Sequence, residues 1–75
     1  MALSCKAGPY LYRIDPSDDR RLLTRTIGSS DFYYLWTAPN GEHILDLEVR
    51  GEELFIQTDR YNYIRKRNGS INFIN

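Results

Sequence analysis

Apolar and polar residues alternate along most of the chain, in short runs separated by turn-forming residues. Alternation with a period of two is typical of β-strands that bury one face. From Phe32 to Ile74 this pattern and its intervening turns predict a meander of five antiparallel strands. The earlier segment "YLYRID" alternates in the same way and predicts a further strand.

The first turn of the meander is Asn40-Gly41. This pair favours a two-residue type I′ hairpin turn, because both positions of that turn require positive φ. The resulting register places Trp36 opposite Leu45, Tyr34 opposite Leu47 and Phe32 opposite Val49 on a buried face. It assigns three apolar or aromatic residues to the opposite, outer face, namely Tyr33, Leu35 and Ile44.

The second turn, Gly51-Glu52, favours a type II′ hairpin and sorts the same residues in the same way. It places Val49 opposite Leu54 and Leu47 opposite Ile56 on the buried face, and it leaves Phe55 on the outer face. Two independent turns thus indicate one buried face, and such agreement between local signals supports a register.

The last two turns complete the meander. A three-residue loop over 59–61 keeps Ile64 in line with the buried face, and a two-residue turn at Asn68-Gly69 then places Ile64 opposite Phe73. In this register three residues of the preceding strand point outward, namely Tyr63, Arg65 and Arg67.

The first third of the chain fits two interpretations. The segment "RRLLTRTIG" is either a returning strand or part of a short helix over 17–28, with Ser17 as N-cap and Gly28 past its end. The threonines disfavour a helix, and the strand that begins at Tyr10 needs a partner, so we favour the strand. The predicted fold class is all-β, a small antiparallel meander of six or seven strands curled into a barrel or sandwich.

Hairpins begin near Tyr10, Phe32 and Leu54, at intervals of 22 residues. The segment "LYRIDP", followed by polar turn residues, resembles the hairpins of β-propeller blades. A chain of 75 residues is too short to close a propeller of at least four four-stranded blades. The resemblance therefore implies a small curved sheet or barrel, or assembly with copies of the same chain.

The length of 75 residues and a hydrophobic content of 41% predict one folded domain, 1–75. A chain this short buries little surface, which favours self-association. Its one cysteine, Cys5, excludes an intramolecular disulfide. Since no apolar run is long enough for a signal peptide or a membrane span, we expect a cytoplasmic protein that binds no membrane.

Catalytic and metal-binding patterns are absent from the sequence. His43 is the only histidine and follows a turn, whereas a metal site needs several ligands. The acidic pairs Asp18-Asp19 and Glu52-Glu53 lie in predicted turns, where they are solvated. We therefore predict no enzymatic activity, no cofactor and no metal.

The predicted outer face is unusually apolar for the solvent side of an antiparallel sheet. The N-terminal segment either covers it, or it is an interface. We predict a non-enzymatic protein-interaction module, adaptor-like or inhibitor-like, that binds another protein or itself through this face. The predicted partner-binding residues are Tyr33, Phe55, Tyr61, Tyr63, Arg65 and Arg67.

Two alternatives follow from other features. The stretch "RYNYIRKR", residues 60–67, combines basic and aromatic side chains in the way that single-stranded nucleic-acid binders do. The formal net charge of zero argues against this function. The second alternative is a carbohydrate-binding module that stacks sugars on Trp36 and tyrosines, although the predicted register buries Trp36.

Overall fold

Residues 4–75 are described by the computed structural model, in which eight β-strands form two four-stranded antiparallel sheets. We call them sheet I, with strand order β1-β2-β3-β4, and sheet II, with strand order β5-β6-β7-β8. The strands of sheet I are β1 (Ser4–Ala7), β2 (Tyr10–Ile14), β3 (Arg21–Thr26) and β4 (Tyr33–Thr37). Those of sheet II are β5 (Ile44–Arg50), β6 (Glu53–Thr58), β7 (Asn62–Arg65) and β8 (Ile71–Phe73).

The predicted all-β class is confirmed, since residues 4–75 contain no α-helix and a single 3₁₀ turn at Pro39–Gly41. The helix considered for 17–28 does not form, because β3 pairs with β2 on one side and β4 on the other. Leu22 and Thr24 of β3 are buried, with the period of a strand. The Thr24 hydroxyl also donates a hydrogen bond of 2.9 Å to the Leu11 carbonyl of β2.

Two details of the predicted fold differ from the structure. Eight strands are present instead of six or seven, because β1 forms a hairpin with β2 that the sequence pattern did not indicate. No closed barrel is found within residues 4–75, since each sheet ends in two edge strands, β1 and β4 or β5 and β8.

The turn at Asn40-Gly41 has the predicted conformation, but it joins the two sheets instead of closing a hairpin. Both residues have positive φ, 57° for Asn40 and 72° for Gly41. β4 nevertheless pairs with β3, so Trp36 lies opposite Leu22 and not opposite Leu45. The predicted pairing of β4 with β5 was wrong, because a turn signal specifies local backbone direction and not the strand that follows as a partner.

The hairpin at Gly51-Glu52 is confirmed with its register. Leu47 lies opposite Ile56 and Val49 opposite Leu54, as predicted. The agreement holds because a two-residue loop with glycine at its first position leaves little freedom in strand alignment.

A register shift at the start of β5 exchanges the predicted faces of Ile44 and Leu45. The irregularity lies between Ile44 and Asp46. As a result Ile44 is buried, and Leu45 is 40% exposed. An extra residue in one strand reverses the side chains beyond it, which a strict alternation cannot anticipate.

The turn between β6 and β7 is one residue shorter than predicted. Residues 59–60 form the loop, and the Thr58 hydroxyl oxygen accepts the Tyr61 backbone N–H at 3.0 Å. Ile56 therefore pairs with Tyr63. A slip of one residue moves every side chain of a strand to the other face, so the predicted faces of β7 are reversed.

The turn between β7 and β8 has three loop residues, 67–69, instead of the predicted two. Gly69 adopts a φ of 92°, the left-handed conformation that such a loop requires at its last position. In the observed register Tyr63 lies opposite Phe73, while Ile64 lies beside Asn72 on the opposite face. The predicted pairing of Ile64 with Phe73 was therefore wrong.

Buried side chains of both sheets form one hydrophobic cluster between them. The Trp36 ring from β4 contacts the Tyr63 ring from β7, with centroids 5.1 Å apart. The Ile44 backbone N–H donates to the Asp19 carbonyl at 2.8 Å, which holds the start of β5 beside the β2–β3 turn. We call the face that each sheet contributes to this cluster its inner face, and the opposite face its outer face. The buried members are Ala7, Tyr12, Ile14, Leu22, Ala38, Ile44, Leu47, Leu54, Ile56 and Tyr63.

Truncation of a buried leucine tests this placement of the core. Leu22 is fully buried, so Leu22→Ala should lower the free energy of unfolding by about 2–5 kcal/mol through the cavity that it leaves. The same change at the exposed Leu45 should alter it by about 0.5 kcal/mol or less. Urea denaturation followed by circular dichroism measures both values, and equal losses would contradict the assigned faces.

Candidate functional site

Two of the six predicted partner-binding residues, Tyr63 and Arg65, lie on the inner face of sheet II. Tyr63 is only 7% exposed and packs edge-on against Trp36. Their predicted outward orientation was wrong, because the short turn before β7 shifts the register by one residue. In these positions both side chains support the contact between the sheets.

The other four predicted residues lie at separate places. Tyr33, 54% exposed, begins the edge strand β4, and Tyr61, 41% exposed, follows the β6–β7 turn. Arg67 lies in the β7–β8 turn and pairs with Glu52 at 2.5 Å. Phe55 lies on the outer face of sheet II, as predicted. The six residues therefore do not form one surface.

A buried carboxylate, Glu42, lies in the connection between the two sheets and is 1% exposed. The Thr58 hydroxyl donates to its Oε1 at 2.7 Å, and the Tyr63 hydroxyl donates to its two oxygens at 3.0 and 3.2 Å. A buried charge is unfavourable unless it is hydrogen-bonded, so these contacts hold the connection in place. Burial, together with the Glu42 carboxylate, raises the pKa of Tyr63 to about 12.

Nothing in the sequence pattern distinguishes Glu42. The residue directly follows the Asn40-Gly41 turn, where a charged side chain is normally solvated. The burial of Glu42 follows only from the observed register of β7, because in that register Tyr63 points toward it. The hydrogen bonds from Thr58 and Tyr63 fix the connection against sheet II, which gives this buried acid a structural role.

Arg65 makes the second polar contact between the sheets. Its guanidinium group lies over the rings of Tyr12 and Tyr10, at 5.3 and 5.8 Å from their centroids, and its Nη1 donates to the Tyr12 hydroxyl at 2.6 Å. Burial raises the pKa of Tyr12, while the positive charge of Arg65 opposes that shift. Arg65 thus connects β7 to β2 instead of facing a partner.

The outer face of sheet II carries apolar side chains beside acidic ones. Phe55 is half-buried beneath the Arg50 guanidinium, which lies 4.7 Å from its ring centroid. Ile64 is its neighbour on β7, and Ile74, 43% exposed, follows β8. A groove of about 300 Å³ crosses this face. The acidic residues of the face are Asp46, Glu48 and Glu53.

The outer face of sheet I is basic. Arg13 and Arg25 both lie over the Phe32 ring, at 5.4 and 5.2 Å from its centroid. Lys6 and Leu11 are cross-strand neighbours on the same face. A groove of about 980 Å³ runs from these residues toward Asp15 and Asp19 at one end of the sheet. The sequence pattern did not predict this surface, because the expected pairing of β4 with β5 assigned Phe32 to the core.

His43 contacts two carboxylates, since its ring bonds Asp19 and its backbone N–H donates to Asp59 at 3.1 Å. Its Nδ1 lies 2.5 Å from Asp19 Oδ1, and this hydrogen bond raises the pKa of His43, since the carboxylate stabilises the protonated ring. Within residues 4–75, no three His, Cys, Asp or Glu side chains are arranged to hold a metal ion. The contact ties the β2–β3 turn to the start of β5.

Cys5 lies half-buried on the inner face of β1. Burial, and to a smaller extent the charge of Asp46, raise the pKa of its thiol to about 11. The thiolate is the reactive form of cysteine, so a protonated thiol at neutral pH is a poor nucleophile. This environment is that of a small core residue and not of an activated cysteine.

No protein-family model, curated protein or solved structure matches the chain. No helix within the described part, residues 4–75, has the length and apolar character needed to cross a membrane. The two outer faces of opposite charge are therefore the features from which a function can be argued.

Ionisation of Tyr63 should destabilise the protein at alkaline pH. The pKa of Tyr63 is about 12 in the folded protein, above its ordinary value of 10.0. Its contribution to stability is therefore fully present below about pH 10 and is lost as the pH rises through 12. Tyr63→Phe should remove this part of the alkaline loss and leave the part that comes from Cys5 and Tyr12, whose pKa values burial also raises. It should also lower the free energy of unfolding at neutral pH by about 1.5–3 kcal/mol, because Glu42 loses a hydrogen-bond donor.

Urea unfolding at neutral pH and at about pH 11 measures both effects. Tyr61→Phe is the matched control, because its side chain is exposed; it should change the stability at neutral pH by about 0.5 kcal/mol or less and keep the alkaline loss. A Tyr63→Phe protein with wild-type stability at both pH values would show that the contact with Glu42 does not stabilise the fold.

Proposed function

We propose that the protein is a non-enzymatic protein-interaction module and that its binding surface is the outer face of sheet II. The observation that best supports this is the presence of Phe55, Ile64 and Ile74 on that face, while sheet I packs against the opposite one. The solvent side of an antiparallel sheet is normally polar. Apolar side chains gathered there favour an interface.

The chemistry of this face suits a protein partner. Aromatic side chains and arginine are enriched among the residues that dominate binding energy, and here Arg50 packs on Phe55. Complete burial of a Phe side chain contributes roughly 1.5–3 kcal/mol. Glu48, which pairs with Arg50 at 3.1 Å and stays exposed, adds a charge that selects a basic partner.

The other predicted partner-binding residues differ in the roles that we propose for them. Tyr33 lies on the edge strand β4, Tyr61 follows the β6–β7 turn and Arg67 lies in the β7–β8 turn, and their part in binding stays a prediction. Tyr63 and Arg65 act from inside, by holding sheet II against sheet I. The anchor that remains on the proposed surface is Phe55.

We also propose that the fold is a sandwich and that the protein is cytoplasmic. Two sheets that share one core fit the sandwich alternative of the predicted fold. A single cysteine is typical of a reducing compartment, which supports a cytoplasmic location.

A second candidate function, binding of single-stranded nucleic acid, is supported by the outer face of sheet I. There Arg13 and Arg25 flank the Phe32 ring, and such binders combine basic grooves with aromatic platforms. The originally predicted stretch, 60–67, lacks this arrangement, because Tyr63 and Arg65 face inward. Carbohydrate stacking on Trp36 has less support, because that ring packs against Tyr63.

Capture of partners from a lysate of the source cell, followed by mass spectrometry, tests the protein-binding proposal. Phe55→Ser should remove at least nine-tenths of any partner bound by the wild-type chain, because its half-buried ring is the centre of the surface. Phe73→Ser is the matched control, since Phe73 is 60% exposed and lies on the inner side of β8. Circular dichroism checks that both variants fold, and equal capture by Phe55→Ser and wild type would refute the surface.

Titration with fluorescent single-stranded DNA and RNA tests the second candidate. Binding through sheet I should weaken at least tenfold in Arg13→Glu and should weaken further as salt rises, because phosphate contacts release counterions. Arg60→Glu, an exposed charge away from that face, is the control. Absence of binding at low salt would exclude this function. An affinity that changes neither with salt nor in Arg13→Glu would also exclude it.

A further inference from the structure

The first hairpins of the two sheets are equivalent structures. Gly8 and Gly51 begin two-residue turns with φ values of 60° and 64°. The flanking pairs also correspond, since Ala7 pairs with Tyr10 and Arg50 pairs with Glu53. Residues 4–14 of sheet I therefore match residues 47–57 of sheet II without a gap, at an offset of 43.

Equivalent positions point to opposite faces of the core. Tyr12 is buried on the inner face of sheet I, whereas its equivalent, Phe55, lies on the outer face of sheet II. Conversely Leu11 lies on the outer face of sheet I, and its equivalent, Leu54, is buried on the inner face of sheet II. The equivalent faces of the two sheets therefore point in the same direction, as in a stack of repeated units. A twofold axis between the sheets would instead place equivalent faces toward one another.

The strand directions agree with this relationship. β1 begins at the end of sheet I where β2 finishes, since Ser4 pairs with Arg13. The Ile44 N–H bonds the Asp19 carbonyl in the turn that follows β2, so β5 begins at the same end. β1 and β5 therefore run parallel, as expected for a unit repeated by rotation about a common axis.

We propose that the partner of the outer face of sheet II is the outer face of sheet I of a second copy of this chain, packed in the way that sheet II packs on sheet I. The inference rests on the proposed binding function of sheet II and names its partner. In this contact Phe55 would be covered by a neighbouring sheet, as Tyr12 is covered within one chain. The contact joins two different surfaces, so it is heterologous and repeats head to tail.

The charges of the two faces are complementary. The outer face of sheet I carries the basic residues Lys6, Arg13 and Arg25. The acidic residues of its groove, Asp15 and Asp19, lie at one end of the sheet. The outer face of sheet II carries the acidic residues Asp46, Glu48 and Glu53, with Arg50 on β5 and Lys66 directly after β7 as its basic residues. Faces of opposite charge attract one another, whereas two copies of the same face repel one another. This favours a head-to-tail contact over a twofold dimer.

The apolar groups of the two faces also match in kind. Leu11, Leu23 and Phe32 are half-buried on one face, as Phe55 and Ile64 are on the other. Head-to-tail contacts close into a ring when the rotation between units allows it and otherwise form filaments. Propellers close with about four to eight four-stranded sheets, so two to four copies of this two-sheet chain would complete a ring.

Charge reversal on one face at a time tests the inference. Lys6→Glu/Arg13→Glu makes both outer faces of a chain acidic, and Glu48→Lys/Glu53→Lys makes both basic. Analytical ultracentrifugation should show wild type as an assembly of two to four chains of 8.8 kDa and each variant alone as a monomer. An equimolar mixture of the two variants should assemble again, with an even number of chains, because each altered face then meets its complement.

Circular dichroism confirms that both variants fold. Assembly of either variant alone to the wild-type mass, or a mixture that stays monomeric, would overturn the head-to-tail contact. A wild-type chain that is monomeric at the highest concentration studied would also overturn it. If wild type is monomeric, Phe55-dependent capture of another protein would still leave the proposed function of sheet II standing. If wild type assembles and Phe55→Ser does not change the assembly, the outer face of sheet II is not the binding surface, and the head-to-tail contact fails with it.

Discussion

The two sheets depend on one buried charge, the carboxylate of Glu42 at their connection. Its oxygens accept hydrogen bonds from Thr58 and Tyr63, which come from two neighbouring strands of sheet II. Removal of either donor leaves a desolvated charge short of a hydrogen-bond partner, which costs about 1–3 kcal/mol or more. The same Thr58 hydroxyl also accepts the Tyr61 N–H in the β6–β7 turn, so one side chain links the turn, the register of β7 and the position of the connection.

That register decides which surface is left for binding. With the observed two-residue turn, Tyr63 and Arg65 point inward and join the sheets through Trp36 and Tyr12. One more residue in the loop would turn them outward and leave Glu42 without the Tyr63 hydroxyl. The buried network therefore excludes the alternative alignment. Within residues 4–75, Phe55 is the only aromatic strand residue on the outer face of sheet II.

The sequence predicted best where a short turn and an alternating pattern coincide. The register of β5 with β6 was predicted correctly, because the glycine turn and the apolar positions agree. The conformation at Asn40-Gly41 was also predicted correctly, but its role was not: local φ preferences do not reveal that β4 already has a partner in β3. The faces of β7 and the outer position of Phe32 depend on loop lengths and pairings between distant strands, and neither is encoded in alternation alone. Glu42 was missed for the same reason.

Of the hairpins predicted at intervals of 22 residues, the one at Phe32 does not form, because β4 pairs with β3. The predicted starts at Tyr10 and Leu54 lie two intervals apart, which is close to the offset of 43 that relates the two sheets. A unit of four strands is repeated, and each repeat uses one face to meet the unit before it and the other to meet the unit after it. The chain contains ten basic and ten acidic residues, yet its two outer faces have opposite charge. A net charge of zero therefore does not mean that charge is evenly distributed over the surface. If identical outer faces met around a twofold axis, like charges would oppose one another, whereas head-to-tail contact places Lys6 and Arg13 near Glu48 and Glu53. The repeat geometry and the charges, which are independent properties, favour the same contact.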